Sequence, residues 1–289
     1  MHYTLYKTIL SKTNGINLYR GCLHGCIYCD SRSKCYQINH LFEDIEVKKN
    51  ALTILEEELK RRKPAMIGTG SMSDPYIPIE KTLCYTRGML ELIEKYGFGV
   101  RIQTKSNLIL RDIDLIDKIN QKTKAVVEIT LTTYDDKLCK VLEPNVSTTK
   151  ERIEILKECQ KRKIPTIVWL CPILPYINDT KENILGILNY CVEYGVYGII
   201  CFNMGLTLRE GNREYYYQKL DEYFPGLKYQ YMKNYGYKYE VTSPKNNELM
   251  NLFYQITKQH NIKTNIDEIF AFGHEFPKKY QQLTIFDEI

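Results

Sequence analysis

Apolar residues along the chain follow two spacings, one typical of buried strands and one typical of amphipathic helices. Short apolar runs with the length and β-branched content of buried strands occupy residues 66–69, 100–104, 125–131, 166–170 and 198–202. Between these runs apolar residues recur every three or four positions, which predicts helices at residues 47–62, 82–96, 113–121, 149–162 and 180–194. With a first strand predicted at residues 16–20, the pattern indicates six strand-and-helix units.

Polar residues at two predicted helix starts agree with these boundaries. Thr148 with Glu151, and Asp179 with Glu182, have the spacing of a capping box. In that motif the first side chain accepts a hydrogen bond from the backbone of the second residue. We therefore expect Thr148 and Asp179 to begin helices.

Apolar strands that alternate with helices indicate a parallel sheet covered by helices on both faces. Six units fit a partial (β/α)6 barrel and a doubly wound sheet, and periodicity does not choose between them. After Met204 the pattern changes to a tyrosine-rich stretch, followed by one more predicted helix at residues 243–260. Because no linker composition intervenes, we expect an α/β unit over residues 1–204 and an α-rich extension over residues 205–289 packed on it.

Composition places the chain in a broad class without naming an activity. Of its 289 residues, 44% are hydrophobic and 26% are charged, which is typical of a globular protein and excludes a disordered one. The net charge of +5 permits a nucleic-acid partner without requiring one. No apolar run is long enough to cross a bilayer and no secretory signal begins the sequence, so we expect a cytoplasmic protein. Its ten cysteines are therefore not a disulfide framework.

Three of the cysteines form a close group. Cys22, Cys26 and Cys29 have the spacing C-x3-C-x2-C, whereas the remaining cysteines show no second grouping of this kind. Three thiolates around a four-iron cluster leave one iron without a protein ligand, where a small molecule can coordinate. The spacing therefore predicts one reactive iron–sulfur cluster and no auxiliary cluster.

A zinc site is the alternative interpretation of the same cysteines. Structural zinc takes four ligands, and His24, Cys35 or His40 could supply the fourth. On that interpretation the protein is a zinc-stabilised nucleic-acid-binding module without catalysis. Metal analysis distinguishes the two.

The cysteine triple, with Tyr28 directly before Cys29, resembles the radical S-adenosylmethionine (SAM) superfamily. Further segments resemble the branch that contains spore photoproduct lyase and uncharacterised relatives: YRGCLHGCIYC, GTGSMSDPYIPIEK, QTKSNLILRDIDL, EITLTTYDDKLCKVLEPN, CPILPYINDTKE and MGLTLREGNREYYYQKLDEYFPG. The resemblance implies an α/β fold, a partial (β/α)6 TIM-type barrel with a C-terminal α-rich extension. It also implies a [4Fe-4S] cluster on Cys22, Cys26 and Cys29, S-adenosyl-L-methionine as cofactor, and a flavodoxin- or ferredoxin-like electron donor.

The same resemblance suggests which residues contact the cofactor. Ser73 and Asp74 would accept hydrogen bonds from the methionyl ammonium group, Lys105 and Arg152 would pair with the carboxylate, and Asn203 would lie at the adenine. The full implied set is Tyr28, Ser73, Asp74, Lys105, Thr130, Thr132, Arg152 and Asn203. Each has an ordinary alternative: Ser-Asp-Pro is good turn chemistry, a lysine at a strand end is commonly solvated, and threonines suit strands.

The sequence departs from the lyase at the residue that returns a hydrogen atom to the product. Ser71 stands where the lyase has that cysteine, two residues before the Ser-Asp pair. A serine O–H is a poor hydrogen-atom donor, so we do not predict lesion reversal by the lyase's own mechanism. Tyr76, Cys171 and Cys201 are alternative hydrogen-atom relays, and core packing is the competing role for the two cysteines.

The C-terminal region bears on substrate and partners. Residues 228–238 interleave lysines with tyrosines and contain no acid, which suits bases stacked beside phosphates but equally suits a half-buried surface edge. From the resemblance to the lyase branch together with this stretch, we expect a nucleic-acid substrate, in DNA repair or modification, with a peptide or a small molecule as the alternative.

The end of the chain carries a separate motif. Gln282, Leu283, Ile285 and Phe286 resemble the short peptide by which bacterial replication and repair proteins dock on the sliding clamp. Such a tail would insert its apolar side chains into a groove of the partner. The alternative is that these residues fold back onto the barrel.

Overall fold

A computed structural model describes residues 1–70 and 72–277 of the chain. Within these ranges the strands are β1 (His2–Thr4), β2 (Tyr19–Arg20), β3 (Glu46–Lys48), β4 (Met66–Gly68), β5 (Gly99–Thr104), β6 (Ala125–Thr130), β7 (Thr166–Trp169), β8 (Gly198–Ile200), β9 (Gly205–Thr207) and β10 (Glu240–Thr242). The helices are α1 (Ala51–Arg61), α2 (Glu80–Leu83), α3 (Tyr85–Lys95), α4 (Ile113–Lys122), α5 (Asp136–Leu142), α6 (Thr149–Lys161), α7 (Lys181–Glu193), α8 (Asn212–Tyr223), α9 (Leu227–Tyr235), α10 (Asn246–Gln259) and α11 (Ile266–His274). Short 3-10 helices lie at Asp30–Arg32, Lys34–Tyr36 and Asn107–Asp112.

The central sheet has five parallel strands in the order β4-β5-β6-β7-β8. All six residues of β6 are buried, as expected for a strand covered on both faces. Each of these strands is followed by at least one helix, so the connections are those of strand–helix–strand units. This arrangement confirms the α/β class and is a partial TIM-type barrel.

The first strand is shorter than predicted, and it pairs outside the central sheet. Only Tyr19–Arg20 forms a regular strand, and it pairs antiparallel with β3 in a small sheet of order β1-β3-β2. The segment is tied to the barrel by one parallel bridge between Gly15 and Gly68, in which the Ile16 N–H donates to the Gly68 carbonyl. Pairing with the distant β3 competes with the central sheet for this segment.

Two predicted helices begin elsewhere. The helix predicted from residue 47 starts at Ala51, because Val47 lies in β3 between Tyr3 and Tyr19. The helix predicted at residues 82–96 is two helices, α2 and α3, separated at Cys84, whose φ is 54°. The break is stabilised by the Glu80 carboxylate, which accepts hydrogen bonds from the first backbone N–H groups of α3.

One of the two predicted capping boxes is present. Thr148 and Glu151 cap α6 reciprocally. For α7 the prediction is wrong by one residue: Thr180 is the N-cap and accepts from the Asn183 N–H. Asp179 instead accepts a hydrogen bond from the Ser243 hydroxyl, a tertiary contact that local sequence does not reveal.

Residues beyond Met204 line the large opening near the ends of β7 and β8 and also pack on the sheet, where Ile269 of the last helix contacts an apolar cluster contributed by four of its strands. Strands β9 and β10 pair antiparallel, and α8 and α9 form an apolar cluster around Tyr216 and Tyr231. The predicted helix at residues 243–260 is α10, which packs on α7, and α11 packs against β8. Across the ranges that the structure describes, we find no helix with the length and apolarity to span a bilayer.

Candidate active site

The three clustered cysteines lie in a loop that leaves β2. Gly21 has a φ of 83°, and a Cβ atom there would lie 2.4 Å from the Phe42 carbonyl oxygen, so the turn into the loop requires glycine. The Cys22 N–H donates to that carbonyl at 3.1 Å, and the Ile27 N–H donates to the Leu142 carbonyl at 2.9 Å. Backbone hydrogen bonds to two distant segments therefore hold both ends of the cysteine loop.

All three cysteines line a cavity of about 100 Å³ at the carboxyl ends of β4, β5 and β6, which we call the small cavity. Its lining is Cys22, His24, Cys26, Cys29, Ser31, Gly70, Met72, Ser73, Asp74, Gln103, Thr104, Lys105 and Thr130. Sites in barrel proteins form at this edge of the sheet. The cavity thus joins the cysteine loop to the strand ends where we expected cofactor contacts.

The spacing of the three sulfur atoms bears on which metal they fit. Tetrahedral zinc with thiolate ligands holds sulfur atoms about 3.8 Å apart. Within the described ranges, the cysteines do not form a group of three ligand atoms that all lie within 4.8 Å of one another. Wider spacing is what a cluster needs, because each thiolate ligates a different iron.

Of the three alternative zinc ligands, only His24 lines the small cavity, and the described cysteine and histidine atoms there do not form a group of three within 4.8 Å of one another. Cys35 is exposed, with its Sγ 3.2 Å from an Arg209 guanidinium nitrogen. His40 does not line the small cavity, and its Nε2 lies 3.5 Å from a Glu46 carboxylate oxygen. His24 does line the small cavity, and its buried Nδ1 has no hydrogen-bond partner within the described residues. The donor set at the cavity therefore fits a cluster with three thiolate ligands and polar room beside it.

Burial controls the ionisation of these thiols. Desolvation raises the pKa of Cys22 to about 12 and raises the pKa values of Cys26 and Cys29. For Cys26 and Cys29 the Lys105 ammonium group works in the opposite direction. Lys105 thus favours thiolates at both cysteines, and Arg32 also lowers the pKa of Cys29.

Asp74 organises one wall of the small cavity. Its Oδ1 accepts from the Tyr76 N–H at 2.8 Å and the Thr104 hydroxyl at 2.6 Å, and its Oδ2 accepts from the Lys105 N–H at 2.7 Å. The His24 Nε2 lies 3.2 Å from Oδ2. Although burial opposes ionisation, His24 and these hydrogen bonds lower the pKa of Asp74, so the carboxylate is charged. The four contacts occupy most of its acceptor capacity.

Ser73 is also engaged by the protein. Its hydroxyl donates to the Gly21 carbonyl at 2.7 Å, which ties the segment after β4 to the cysteine loop. The geometry gives Ser73 and Asp74 positioning roles. Their contact with the methionyl ammonium group remains a prediction.

A buried ion pair between Glu143 and Arg152, which the sequence did not predict, contacts Tyr28 of the cysteine loop. Glu143 and Arg152 are both fully buried and form a charged hydrogen bond, and the Tyr28 hydroxyl donates to the other Glu143 oxygen. Arg152 also donates to the carbonyls of Thr130 and Ser147, at 2.8 and 2.9 Å. Arg152 does not line the small cavity. In this arrangement it positions Tyr28 through Glu143 and contacts the end of β6 directly.

The two threonines differ in position. Thr130 ends β6 and lines the small cavity, whereas Thr132 is fully buried and lines neither cavity. The Thr132 carbonyl accepts from Asn178 and Asn183 at 2.8 and 2.9 Å. Of the two, Thr130 alone is placed to touch a ligand in these cavities.

A second cavity of about 560 Å³, the large cavity, adjoins the first and shares Cys26, Cys29, Ser31 and Lys105 with it. The rest of its lining is Tyr28, Asp30, Trp169, Cys171, Pro172, Phe202, Asn203, Gly205, Leu206, Thr207, Tyr239 and Glu240. Predicted residues Tyr28, Lys105 and Asn203 thus meet here. Its volume is that of a site for a small organic ligand or part of a larger one.

The three relay candidates are separated by the structure. Cys171 lines the large cavity, next to the cis peptide bond before Pro172. Cys201 is buried with its Sγ 3.8 Å from the Met250 sulfur, and Tyr76 is buried in the main core. Only Cys171 of these three reaches a cavity described here.

The tyrosine-rich segment is divided between core and surface. Tyr231 is buried, and its hydroxyl donates to the Pro175 carbonyl at 2.8 Å. Tyr229 and Tyr237 are exposed. The clamp-like motif and Ser71 lie outside the described residues.

The sequence matches the family described as the radical SAM superfamily over residues 16–191, more than half of the chain. The protein therefore belongs to the radical SAM superfamily. Proteins of this superfamily use a [4Fe-4S] cluster and S-adenosylmethionine, and the chain is a radical SAM enzyme by family and fold.

Relatives in sequence have no assigned function. An uncharacterised protein of Mycobacterium tuberculosis (strain ATCC 25618 / H37Rv) is 26% identical over 250 residues, covering 81% of this chain and 73% of the relative. An uncharacterised protein of Methanocaldococcus jannaschii is 34% identical over 173 residues, covering 59% of this chain and 64% of the relative. These matches extend the similarity without naming a substrate.

Solved structures show the same fold. A spore photoproduct lyase mutant with bound AdoMet and dinucleoside spore photoproduct has a TM-score of 0.58 and 15% identity, covering 86% of this chain and 73% of the other. A radical S-adenosylmethionine methyltransferase from Kitasatospora setae, with cobalamin and a [4Fe-4S] cluster bound, has a TM-score of 0.50 and 14% identity, covering 68% and 37%. At these identities the likeness concerns the fold alone.

Proposed function

We propose that Cys22, Cys26 and Cys29 hold the [4Fe-4S] cluster at the small cavity, that S-adenosylmethionine binds beside it at the junction with the large cavity, where Lys105, Tyr28 and Asn203 lie, and that the enzyme acts on nucleic acid. The observation that carries this proposal is the junction of the two cavities: the cysteine loop lines the small one and opens into the large one. A cofactor at the junction would face a substrate across a short distance. When bound, cluster and cofactor together supply a 5′-deoxyadenosyl radical that abstracts a hydrogen atom.

The residues of this chain have separate tasks in that arrangement. Lys105 is the cation at the junction, with its Nζ 5.9 Å from the centre of the Tyr28 ring. Although burial opposes it, the charges of Cys26 and Glu143 raise the pKa of Lys105, so it stays protonated and suits the methionyl carboxylate. Asp74 fixes the Lys105 backbone, and Thr130, which lines the small cavity, would offer its hydroxyl to the ribose of the cofactor.

Support for a nucleic-acid substrate comes from the large cavity. Its lining contains the aromatic side chains of Tyr28, Trp169, Phe202 and Tyr239, which suit stacking on bases. Phe202 is 57% exposed and Tyr239 is 45% exposed, although large aromatic groups favour burial. The lyase of similar fold has a dinucleoside photoproduct bound. The proposed C-terminal extension, from residue 205, supplies Tyr239 and part of this wall.

Metal analysis tests the cofactor part of the proposal. Anaerobic reconstitution should give about four irons and four sulfides per chain. Reduction in the presence of S-adenosylmethionine should then release methionine and 5′-deoxyadenosine. Zinc without iron, in protein purified and reconstituted under these conditions, would identify the non-catalytic zinc module instead.

Titration with fluorescent single-stranded DNA and RNA tests the substrate part. Binding should weaken as salt increases, because phosphates release counterions when they pair with lysines. Binding that is absent, or that salt does not change, contradicts the nucleic-acid proposal while leaving cofactor cleavage intact. The substrate would then be a peptide or a small molecule.

The partner proposals rest on sequence and family. A flavodoxin- or ferredoxin-like protein would supply the electron, which a reduced-flavodoxin assay for 5′-deoxyadenosine tests. Docking on the sliding clamp would use Gln282, Leu283, Ile285 and Phe286. Purified clamp should retain the intact protein and lose the Leu283→Ala/Phe286→Ala variant, which keeps its cofactor cleavage. Equal retention of both, or of neither, contradicts clamp docking.

A further inference from the structure

A second group of metal-binding side chains lies outside both cavities, in the sheet of β1, β2 and β3. His2, His40 and Glu46 each offer a ligand atom, and these atoms all lie within 4.8 Å of one another. Among the residues described, no other group of three meets that distance. We propose that His2, His40 and Glu46 bind a divalent transition-metal ion, most favourably Zn²⁺.

Hydrogen bonds set both histidines in the form that a metal needs. The His2 Nδ1 lies 2.9 Å from an Asp44 carboxylate oxygen, and the His40 Nδ1 lies 2.9 Å from the Leu41 carbonyl oxygen. Since both partners only accept, the neutral form of each ring carries its proton on Nδ1 and offers the Nε2 lone pair to a metal ion. Donation of the second ring nitrogen to a carboxylate or carbonyl is the usual support of a metal-bound histidine.

The Nε2 atom of His40 is available to a metal ion. It is buried and has no hydrogen-bond partner in the described part of the chain. The atom lies 3.5 Å from a Glu46 carboxylate oxygen, close to the separation of about 3.3 Å between two ligands of tetrahedral zinc. Two of the three ligands are therefore already at nearly the required spacing.

Glu46 is held as a carboxylate with one oxygen available. Its Oε1 accepts from the Tyr6 hydroxyl at 2.5 Å, and its Oε2 is the oxygen that faces His40. The nearby positive charge of Arg20 will reduce the affinity for a cation, so we expect micromolar rather than nanomolar binding.

The ligand set and its position indicate what the ion would do. Two histidines and one glutamate leave a fourth position for water, and His2 is half-exposed, so the site opens to solvent. The ion would fasten β1 and the segment around residue 40 to β3. Phe42, in that segment, accepts the Cys22 N–H, so the ion would brace the return of the cysteine loop without touching the cluster.

Zinc titration of the full chain with its iron–sulfur cluster loaded tests the site, because the cysteines are then occupied. One zinc should bind per chain, and its absorption-edge spectrum should show nitrogen and oxygen neighbours only. His2→Gln and His40→Gln should each weaken binding by about a hundredfold or more, and Asp44→Asn by about 10–100-fold. Zinc at a hundredfold excess over its Kd should also raise the unfolding temperature by a few degrees.

His260→Gln is the matched control, because His260 is an exposed histidine at the end of α10 and should leave binding unchanged. Circular dichroism and iron content identify any variant that has lost its fold. No zinc bound, sulfur among its neighbours, or equal affinity in His2→Gln, His40→Gln and the intact protein would overturn the proposal.

Discussion

The two cavities that meet at the cysteine loop are built in different ways. The small cavity is walled by polar groups already engaged in hydrogen bonds, such as Asp74 and Ser73. The large cavity is walled by aromatic side chains, of which Phe202 and Tyr239 remain open to solvent. One is pre-organised by the protein itself, and the other offers surfaces that still lack a partner.

This difference fits a division of labour. A cofactor of fixed structure is best bound by groups whose positions are set before it arrives. A flexible polymer can be held by stacking surfaces, which tolerate different bases. We therefore assign the small cavity, with its junction, to the cluster and the cofactor, and the aromatic wall of the large cavity around Phe202 and Tyr239 to the substrate, and the following changes test that assignment.

The largest effect is expected from replacing Cys22, Cys26 and Cys29 together with alanine. All iron–sulfur absorbance should disappear and cofactor cleavage should fall to background, because no other cysteine grouping is predicted to hold a cluster. Cys35→Ser is the control and should keep both, since Cys35 is exposed and lines neither cavity. An iron–sulfur signal that survives the triple change would show that other cysteines hold a second cluster.

The next largest effect is expected on stability, from breaking the buried ion pair between Glu143 and Arg152. Glu143→Gln leaves the fully buried Arg152 charge without its partner and should lower the free energy of unfolding by about 3–5 kcal/mol. Adding Arg152→Met should restore part of that loss, because no unpaired charge then remains. Urea denaturation measures the stability of the single and the double variant. A Glu143→Gln variant as stable as the intact protein would contradict the account.

The same ion pair predicts a pH dependence. Burial opposes it, but Arg152, Lys105 and Tyr28 lower the pKa of Glu143 in the folded protein. Its contribution to stability is therefore present above the unfolded carboxyl pKa of about 4.3 and is lost as pH falls through the lower folded value. The stability difference between the intact protein and Glu143→Gln should narrow below about pH 4.3. A stability difference that grows as the pH falls would contradict this prediction.

A smaller effect is expected at the large cavity. Phe202→Ala and Tyr239→Ala should each weaken single-stranded nucleic-acid binding about tenfold, as for loss of one stacked base. Cofactor cleavage without substrate should stay within about twofold, because neither residue lines the small cavity. Tyr254→Ala, on exposed α10, is the matched control. If all three variants bind nucleic acid as tightly as the intact protein does, the large cavity is not the substrate site.

The smallest effect distinguishes the relay candidates by access. Iodoacetamide should label Cys171, which lines the large cavity, faster than Cys201, which is buried. Both should react more slowly than exposed Cys35, because burial raises the pKa of Cys171 to about 12 and leaves little thiolate. Peptide mass spectrometry follows each site, and labelling of Cys201 before Cys171 would reverse their roles.

The repeating part of the fold was accessible from the sequence, whereas non-local pairing was not. Buried strands such as β7 and β8 produce apolar runs that can be recognised without a partner. Strand β3 was predicted as helix because its pairing with β1 joins residues that are far apart in the chain. Helix α5 was missed because seven residues give too few turns for a periodic pattern.

The candidate site shows the same limit. Cysteine spacing marked the loop, since ligands of one cluster can lie close in sequence. The link from Tyr28 to Glu143 spans 115 residues, and only the folded chain brings these groups together. The segment LEPN, which contains Glu143, resembled the family, but similarity alone did not tell which residue in it pairs with Arg152.

Electron paramagnetic resonance of the reduced, cluster-loaded protein tests the central claim most directly. If three cysteines hold the cluster at the small cavity and one iron is open, adding S-adenosylmethionine should change the spectrum of the reduced cluster in the intact protein. The Phe202→Ala variant should show the same change, because Phe202 belongs to the other cavity. A spectrum that S-adenosylmethionine leaves unchanged, with the cluster fully loaded, would contradict the assignment of the small cavity.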